Sequence, residues 1–163
     1  MPSRADIIFF DDGFKGHSLL YNVLSRMVNF IMKYGEKAIK KARLEIWENP
    51  NPERDYEINI TLPEFTCLCP RSGYPDFATF VVRYVPDQKI VESKSFKLYL
   101  WSYREEGTFH EHVINKMLDD LVEALDPHWI KVVGEFNVRG GIGIKVEAEH
   151  TKTPAAKRLW DKS

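Results

Sequence analysis

The sequence has little net charge, no long apolar run and few cysteines. Its 163 residues include 23 lysines and arginines against 24 aspartates and glutamates, a net charge of −1. That balance argues against a protein that holds nucleic acid through a global positive field. The longest run without a charged residue, 16–25, is far shorter than the about 20 apolar residues that cross a bilayer, and no signal peptide is visible. We therefore expect a single-domain cytoplasmic protein that binds neither nucleic acid nor a membrane.

The two cysteines lie in one short segment, as Cys67 and Cys69. A disulfide across a single intervening residue is strained, and there is no third cysteine, so a disulfide framework is excluded. This leaves buried thiols, metal ligands or a reactive thiol as interpretations. The sequence also lacks the glycine-rich GxGxxG and Walker-A patterns, so a doubly wound nucleotide-binding domain is not indicated.

The apolar pattern predicts an α+β fold. The segment 92–104 fits both a helix and a strand, and its straight-chain lysines favour a helix. Pro63 is expected to end the first strand and to begin a loop over 63–76. The predicted order is two strands, two helices and two strands, which indicates a four-stranded antiparallel sheet with helices on one face. The predicted elements are strands at 56–62 and 77–85, helices at 92–104 and 108–126, and strands at 129–137 and 142–149.

The chain is expected to have three parts. Residues 1–44 form an N-terminal extension that includes a helix over 17–41, residues 45–150 form the functional domain, and 151–163 form a basic mobile tail. Met32 lies inside the extension and is a possible native start. We therefore treat residues 1–31 as an addition to the functional domain.

Cys69 and Asp76 are the first candidates for chemistry. A thiolate is a nucleophile, and a nearby acid can protonate what its attack generates. Their spacing across a loop punctuated by proline and glycine allows both side chains to face one pocket, although an aspartate beside Pro75 is also a common turn residue.

Three further polar segments allow both a structural and a functional interpretation. The run 92–97 is suited to cap a helix, and its Lys94 and Lys97 share a helical face that suits a phosphate. Glu111 has capping-box spacing from Thr108, yet with His110 it also suits the hydrogen-bonding edge of a heterocycle. The segment 139–141 is either a hairpin turn or an anion site built from a cation and backbone amides.

In combination, four motifs resemble one enzyme family. The segments 65–70, 73–79, 92–99 and 109–111 read FTCLCP, GYPDFAT, ESKSFKLY and FHE. They resemble the NADPH-dependent 7-cyano-7-deazaguanine reductases, the nitrile reductases of queuosine biosynthesis, in their single-domain form. The resemblance spans about 45–147. It implies a tunnelling fold and a homo-oligomer of stacked pentamers with active sites between subunits.

The resemblance also implies a role for individual residues. Cys69, directly before a proline, matches the nucleophile, and Asp76 matches the proton donor. The residues that match positions binding the deazaguanine substrate are Val91, Glu92, Ser93, His110 and Glu111. The residues that match positions binding NADPH are Lys94, Lys97 and Arg139.

The implied reaction is a four-electron reduction. Thiolate addition to the nitrile gives a covalent thioimide, which is a better hydride acceptor than the nitrile. Two NADPH molecules then take it to 7-aminomethyl-7-deazaguanine, with no metal required. Two other enzyme classes stay open. One is an amidine-forming transferase that acts on the same nitrile, and the other is a zinc cyclohydrolase-like enzyme that uses Cys67, Cys69 and His110 or His112 as ligands.

Overall fold

A computed structural model describes residues 42–152 together with Gly35, Glu36 and Ile39. The chain divides into two compact units, Met1–Lys37 and Ala38–Ser163, and the architecture below is that of the second. The helix expected over 17–41 and most of the basic tail fall outside the described residues. None of the helices in the described part of the chain is long and apolar enough to cross a membrane.

In the part of the chain that the structure describes, the strands form two antiparallel sheets. The smaller sheet pairs β1 with β4, and the larger has the strand order β2-β3-β5-β6 with every neighbouring pair antiparallel. The strands are β1 (Ile46–Glu48), β2 (Ile58–Leu68), β3 (Pro75–Val85), β4 (Lys89–Val91), β5 (Trp129–Arg139) and β6 (Ile142–Thr151).

Two helices lie between β4 and β5 in the chain. They are α1 (Ser93–Ser102), followed by a 3-10 turn at Tyr103–Glu105, and α2 (His110–Leu125). Buried apolar side chains recur along α2 at helical spacing and pack against β5 and β6. On β3 every second side chain is buried, which gives the sheet one face toward the core. The predicted α+β fold is confirmed, and the predicted order of strands and helices agrees with that of the four-stranded sheet and the two helices.

Gly134 on β5 sets how closely α2 approaches the sheet. A methyl group there would lie 2.5 Å from Cδ1 of Ile114 and 2.9 Å from Cε1 of Phe80, both fully buried. Only glycine leaves that space free. The close approach fixes α2 over the sheet, and with it the first helical residue, His110.

Three local predictions were wrong. Pro63 does not end the strand predicted at 56–62, which is β2 in the structure. The pairing of β2 with β3 shifts register between Leu62 and Phe65, and this β-bulge accommodates the proline. The loop expected over 63–76 is accordingly reduced to the turn between Leu68 and Pro75. The capping box is also absent, since the N-cap of α2 is Phe109 and no side chain caps it.

The small sheet, which the sequence analysis missed, anchors the start of α1. The amide of Glu92 donates to the carbonyl of Glu45 at 2.9 Å. The amide of Glu45 in turn donates to the hydroxyl of buried Ser95 at 3.0 Å. These bonds join the chain before β1 to the first turn of α1, so the segment that begins the helix is held from both sides.

Candidate active site

Cys69 lies in a tight turn between β2 and β3. Its amide donates to the carbonyl of Tyr74 at 2.8 Å, and its carbonyl accepts from the amide of Gly73 at 2.8 Å. Gly73 has φ +71°, a left-handed conformation that glycine adopts without strain. The closed turn holds the half-buried Cys69 thiol at the end of the sheet.

The pKa values of the two thiols shift in opposite directions. The pKa of Cys69 is lowered, first by a hydrogen bond from the Ser72 side chain and then by the backbone amides of Ser72 and Arg71. Burial is the main cause that raises the pKa of the fully buried Cys67 to about 11, and the charge of Asp76 adds to it. Thiolate character therefore favours Cys69 as the nucleophile.

Asp76 lies beside Cys67 across the β2–β3 ladder and is almost completely buried, with 3% of its surface exposed. Its carboxylate accepts a hydrogen bond from the Arg139 guanidinium, and its other oxygen lies 3.3 Å from Nε2 of His110. The contact with Asp76 is the main cause that raises the pKa of Arg139. Two side chains from different elements thus orient one buried carboxyl group toward the thiol turn.

His110 presents its ring between an acid and an aromatic side chain. It stacks on Phe136 with ring centroids 3.8 Å apart and an interplanar angle of 13°. Glu111, the next residue on α2, is exposed and lines the same cavity. Because no side chain caps α2, the carboxylate of Glu111 is not used in a capping box.

The turn between β5 and β6 holds Arg139 in place. Gly140 and Gly141 have φ +58° and +82°, two successive left-handed residues that form a tight hairpin turn. Arg139 pairs with Ile142 across this turn. Of the two interpretations of segment 139–141, the hairpin turn is confirmed, and the arginine at its start faces Asp76.

These side chains line one cavity of about 360 Å³. It offers a thiol of lowered pKa, a buried carboxyl group, a cation and an imidazole against apolar walls, which suits nucleophilic addition to a flat, polar-edged ring. The lining consists of Cys69, Pro70, Asp76, Thr108, Phe109, His110, Glu111, Phe136, Asn137, Arg139, Ile142 and Ile144.

The remaining residues singled out in the sequence lie elsewhere. The lining of the Cys69 cavity does not include Val91, Glu92, Ser93, Lys94 or Lys97. The carboxylate of Glu92 caps α1 by accepting from the amides of Lys94 at 2.8 Å and Ser95 at 2.6 Å, which lowers its pKa. Ser93, Lys94 and Lys97 are exposed along the first turns of that helix.

Several residues in and beside the cavity were not predicted from the sequence. Ser72 hydrogen-bonds to the Cys69 thiol, and Phe136 stacks on His110. The cavity wall also includes Asn137, Ile142 and Ile144. Strand alternation places Phe136 on the core face, but its stacking on His110 depends on how α2 packs against β5. The pairing of β5 with β6 is also irregular between Phe136 and Arg139, which no local pattern predicts. Within the described residues, no three His, Cys, Asp or Glu side chains are grouped so that they could hold a metal ion.

Comparison with known sequences places these motifs in a family. A family described as "QueF-like protein" matches residues 75–155. A relative from Anaeromyxobacter sp. (strain Fw109-5), the NADPH-dependent 7-cyano-7-deazaguanine reductase, is 58% identical over 117 residues, which cover 71% of this chain and 96% of the relative. The reductase of the same name from Thermomicrobium roseum is 61% identical over 110 residues, covering 68% of this chain and 86% of the relative.

A solved structure shows the same fold. The crystal structure of the archaeosine synthase QueF-Like in the apo form aligns with a TM-score of 0.55 at 24% identity. The alignment covers 60% of this chain and 94% of that chain. The expected tunnelling fold is thereby confirmed for the sheet and the helices that the structure describes.

Proposed function

Because this chain belongs to the family of NADPH-dependent 7-cyano-7-deazaguanine reductases, we propose that it reduces the nitrile of 7-cyano-7-deazaguanine at the Cys69 cavity. The observation that carries the assignment of the site is the pairing of a thiol of lowered pKa with a buried carboxyl group. The product is the aminomethyl base, an intermediate in the formation of the tRNA base queuosine.

Cys69 acts as the nucleophile. Its sulfur attacks the nitrile carbon, one C–N π bond breaks, and the nitrogen takes up a proton, so that a neutral thioimide forms. The hydrogen bond from Ser72 and the two backbone amides stabilise the thiolate before it attacks. Asp76 lies on the same cavity wall, and its carboxylate takes up the proton that the Cys69 thiol loses and passes it to the nitrogen.

Arg139 and His110 position Asp76. Both contact its carboxyl group, one from the β5–β6 turn and one from the first residue of α2. The deazaguanine ring is placed against the His110 imidazole, which is itself supported from behind by buried Phe136. Glu111, exposed at the cavity, accepts hydrogen bonds from the N–H groups on the edge of the base.

NADPH, when bound, supplies the hydride for each of the two reduction steps. The cations of this chain suit its phosphates, since Arg139 lines the Cys69 cavity and Lys97 lines a neighbouring hollow. Lys94 lies one helical turn before Lys97 on the same face of α1. We assign all three to the cofactor.

A neighbouring copy of the chain completes the site. Val91, Glu92 and Ser93, which match the substrate-binding stretch of the family, lie outside the Cys69 cavity of their own chain. In a homo-oligomer of stacked pentamers, this stretch of one subunit meets the cavity of another.

Both cysteines are free thiols, in keeping with the reducing cytoplasm as the place of action.

The experiment that tests the function combines turnover with detection of the adduct. Purified protein is mixed with the cyano base, with and without NADPH, while absorbance at 340 nm and the protein mass are followed. We expect two NADPH oxidised per base, and without NADPH a protein mass increased by one base. An adduct without NADPH oxidation would instead identify an amidine-forming transferase. Absence of both would overturn the proposal.

A mixing experiment tests the shared site. Cys69→Ala and a variant that disrupts the neighbouring stretch, Ser93→Trp, are each expected to be inactive. If one site uses parts of two subunits, oligomers reassembled from both variants regain up to about a quarter of the wild-type activity, because one in four random pairings joins two intact halves. Reassembled mixtures that stay inactive would show that each chain uses its own Val91–Ser93 stretch.

A further inference from the structure

Trp101 lies at a second hollow, between α1 and the edge strand β2. The hollow has a volume of about 180 Å³. Nζ of Lys97 lies 5.1 Å from the centroid of the Trp101 ring, and Cζ of Arg104 lies 4.7 Å from it. The indole is half-buried and the two cations are exposed, so the ring gathers two positive charges at an accessible surface.

Within residues 42–152, neither of these cations, Lys97 and Arg104, forms an ion pair with a carboxylate. Glu64 is the acidic residue of the lining, and it is exposed on the opposite wall. Two cations without a counter-charge beside an aromatic face form a site for an anion that carries a ring.

This hollow adjoins the Cys69 cavity through a third one. The third hollow shares Arg104 with the Trp101 hollow and Asn137 with the Cys69 cavity. The three follow one another from α1, past β2 and β3, to the end of β5. The three hollows therefore offer an extended ligand with its reactive end at Cys69 a path along the surface toward Trp101.

We propose that Trp101 and Arg104, with Lys97, bind the 2′-phosphoadenosine end of NADPH. The adenine ring stacks on the indole, and the guanidinium of Arg104 pairs with the 2′-phosphate that distinguishes NADPH from NADH. This rests on the proposed function of the Cys69 cavity and adds to it the residues that select the phosphorylated cofactor. Thr66 and Glu64 on the β2 wall supply hydrogen-bonding groups for the ribose hydroxyls.

The two side chains make different predictions for the two cofactors. Arg104→Gln removes a charge-assisted contact to the 2′-phosphate, so the KM for NADPH rises about 10-fold or more while the KM for NADH changes little. Trp101→Ala removes stacking that both cofactors share, so both KM values rise, by about 5-fold or more. Arg54→Gln is the matched control, because Arg54 is an exposed arginine that lines none of the three hollows.

A binding experiment separates this proposal from the proposed function. Adenosine 2′,5′-bisphosphate carries the proposed determinants and no nicotinamide, so its affinity is measured by calorimetry without turnover. We expect wild type and Arg54→Gln to bind it, Arg104→Gln to bind it about 10-fold more weakly, and the cyano-base adduct to form in every variant. Binding by wild type without any NADPH oxidation would fault the proposed function alone.

Three outcomes would overturn the proposed adenosine site. The first is equal affinity of wild type and Arg104→Gln for the bisphosphate, and the second is an equal rise in KM for NADPH and NADH in Arg104→Gln. The third is a change in oligomer size on gel filtration in Arg104→Gln or Trp101→Phe. That result would show that a second copy of the chain fills the hollow.

Discussion

The guanidinium of Arg139 is hydrogen-bonded to the carboxylate of Asp76, 63 residues away in the sequence. The two meet because β3 and β5 are antiparallel neighbours, so the first residues of one strand lie beside the last residues of the other. The carboxylate is almost completely buried, whereas the guanidinium side chain is 44% exposed. A solvent-accessible cation thus stabilises a charge in the wall of the cavity.

Removal of Arg139 is expected to destabilise the protein through the carboxylate that it leaves behind. Without the guanidinium, the buried carboxylate keeps its contact with His110 but loses its cationic partner. A lost hydrogen bond to a buried group costs on the order of 1–3 kcal/mol, so Arg139→Gln unfolds at a lower urea concentration than wild type. Asp76→Asn in the same chain replaces that carboxylate by a neutral amide, so the double variant regains part of the loss. If the double variant is less stable than Arg139→Gln, the contact does not act in this way.

The two cysteines are expected to differ in their effect on turnover. Cys69→Ala removes the nucleophile and abolishes both the covalent adduct and NADPH oxidation. Cys67→Ala leaves the nucleophile in place and retains at least about a tenth of the activity, since it truncates a fully buried side chain without touching the thiol turn. Equal loss in both variants, measured as kcat/KM with the cyano base, would contradict the assignment of Cys69.

The pH dependence of alkylation tests the lowered pKa of Cys69. Iodoacetamide reacts with the thiolate, so Cys69 is modified at a lower pH than an ordinary cysteine, which has a pKa of about 8.5. Ser72→Ala removes the largest cause of the lowered pKa and shifts the midpoint of the rate profile upward. Both cysteines lie in the tryptic peptide 55–71, so fragmentation of that peptide by tandem mass spectrometry gives the rate for each one. Ser102→Ala is the matched control, because Ser102 is exposed and lines none of the hollows near Cys69. A midpoint unchanged in Ser72→Ala would refute the role of its hydroxyl.

Glu92 is expected to stabilise α1 only while its carboxyl group is ionised. Hydrogen bonds from the amides of Lys94 and Ser95 lower its pKa below the unfolded value. The stabilisation is therefore complete above the unfolded pKa of about 4.5 and is lost as the pH falls through the lowered pKa. Urea unfolding of wild type and Glu92→Gln between pH 2 and 7 should show a stability difference that shrinks toward acid. A difference that stays constant over this range would mean that the carboxylate does not cap the helix.

Gly134→Ala tests the contact that holds α2 against the sheet. The added methyl group meets the buried side chains of Ile114 and Phe80, and overpacking of this kind costs about 1–3 kcal/mol. The expected result is a lower midpoint of urea unfolding. Gly143→Ala on β6 is the control, because its nearest neighbour, Cγ2 of Val138, would lie at 3.4 Å. Equal stability of the two variants would contradict the packing argument.

The sequence predicts what depends on periodicity and local chemistry. The strands and helices follow from alternating and helical apolar spacing, and α1 over Ser93–Ser102 agrees with the helix favoured at 92–104. The end of β2 could not be predicted in this way. Pro63 normally terminates a strand, and only the register of β2 against β3 shows that a bulge takes it up.

The candidate site was predictable to the extent that its residues are close in sequence. Cys69 and Asp76 flank one turn, and both line the cavity. The contact of His110 with Phe136 and that of Arg139 with Asp76 join elements distant in the chain, so they depend on packing and strand register. Glu92 shows a different limit, because its residue type fits both a helix cap and a ligand to the base, and the structure shows its carboxylate in the cap.

The hairpin turn after Arg139 limits which amino-acid replacements the chain tolerates at Gly140 and Gly141. Gly140 and Gly141 contribute no side chain to the cavity, yet both occupy backbone conformations that other residues adopt only with strain. In a saturation-mutagenesis library selected for activity, these two exposed positions should accept fewer replacements than their exposed neighbour Val138. Tolerance to replacement at this turn is therefore set by backbone geometry, and an exposed loop becomes one of the least variable parts of the domain.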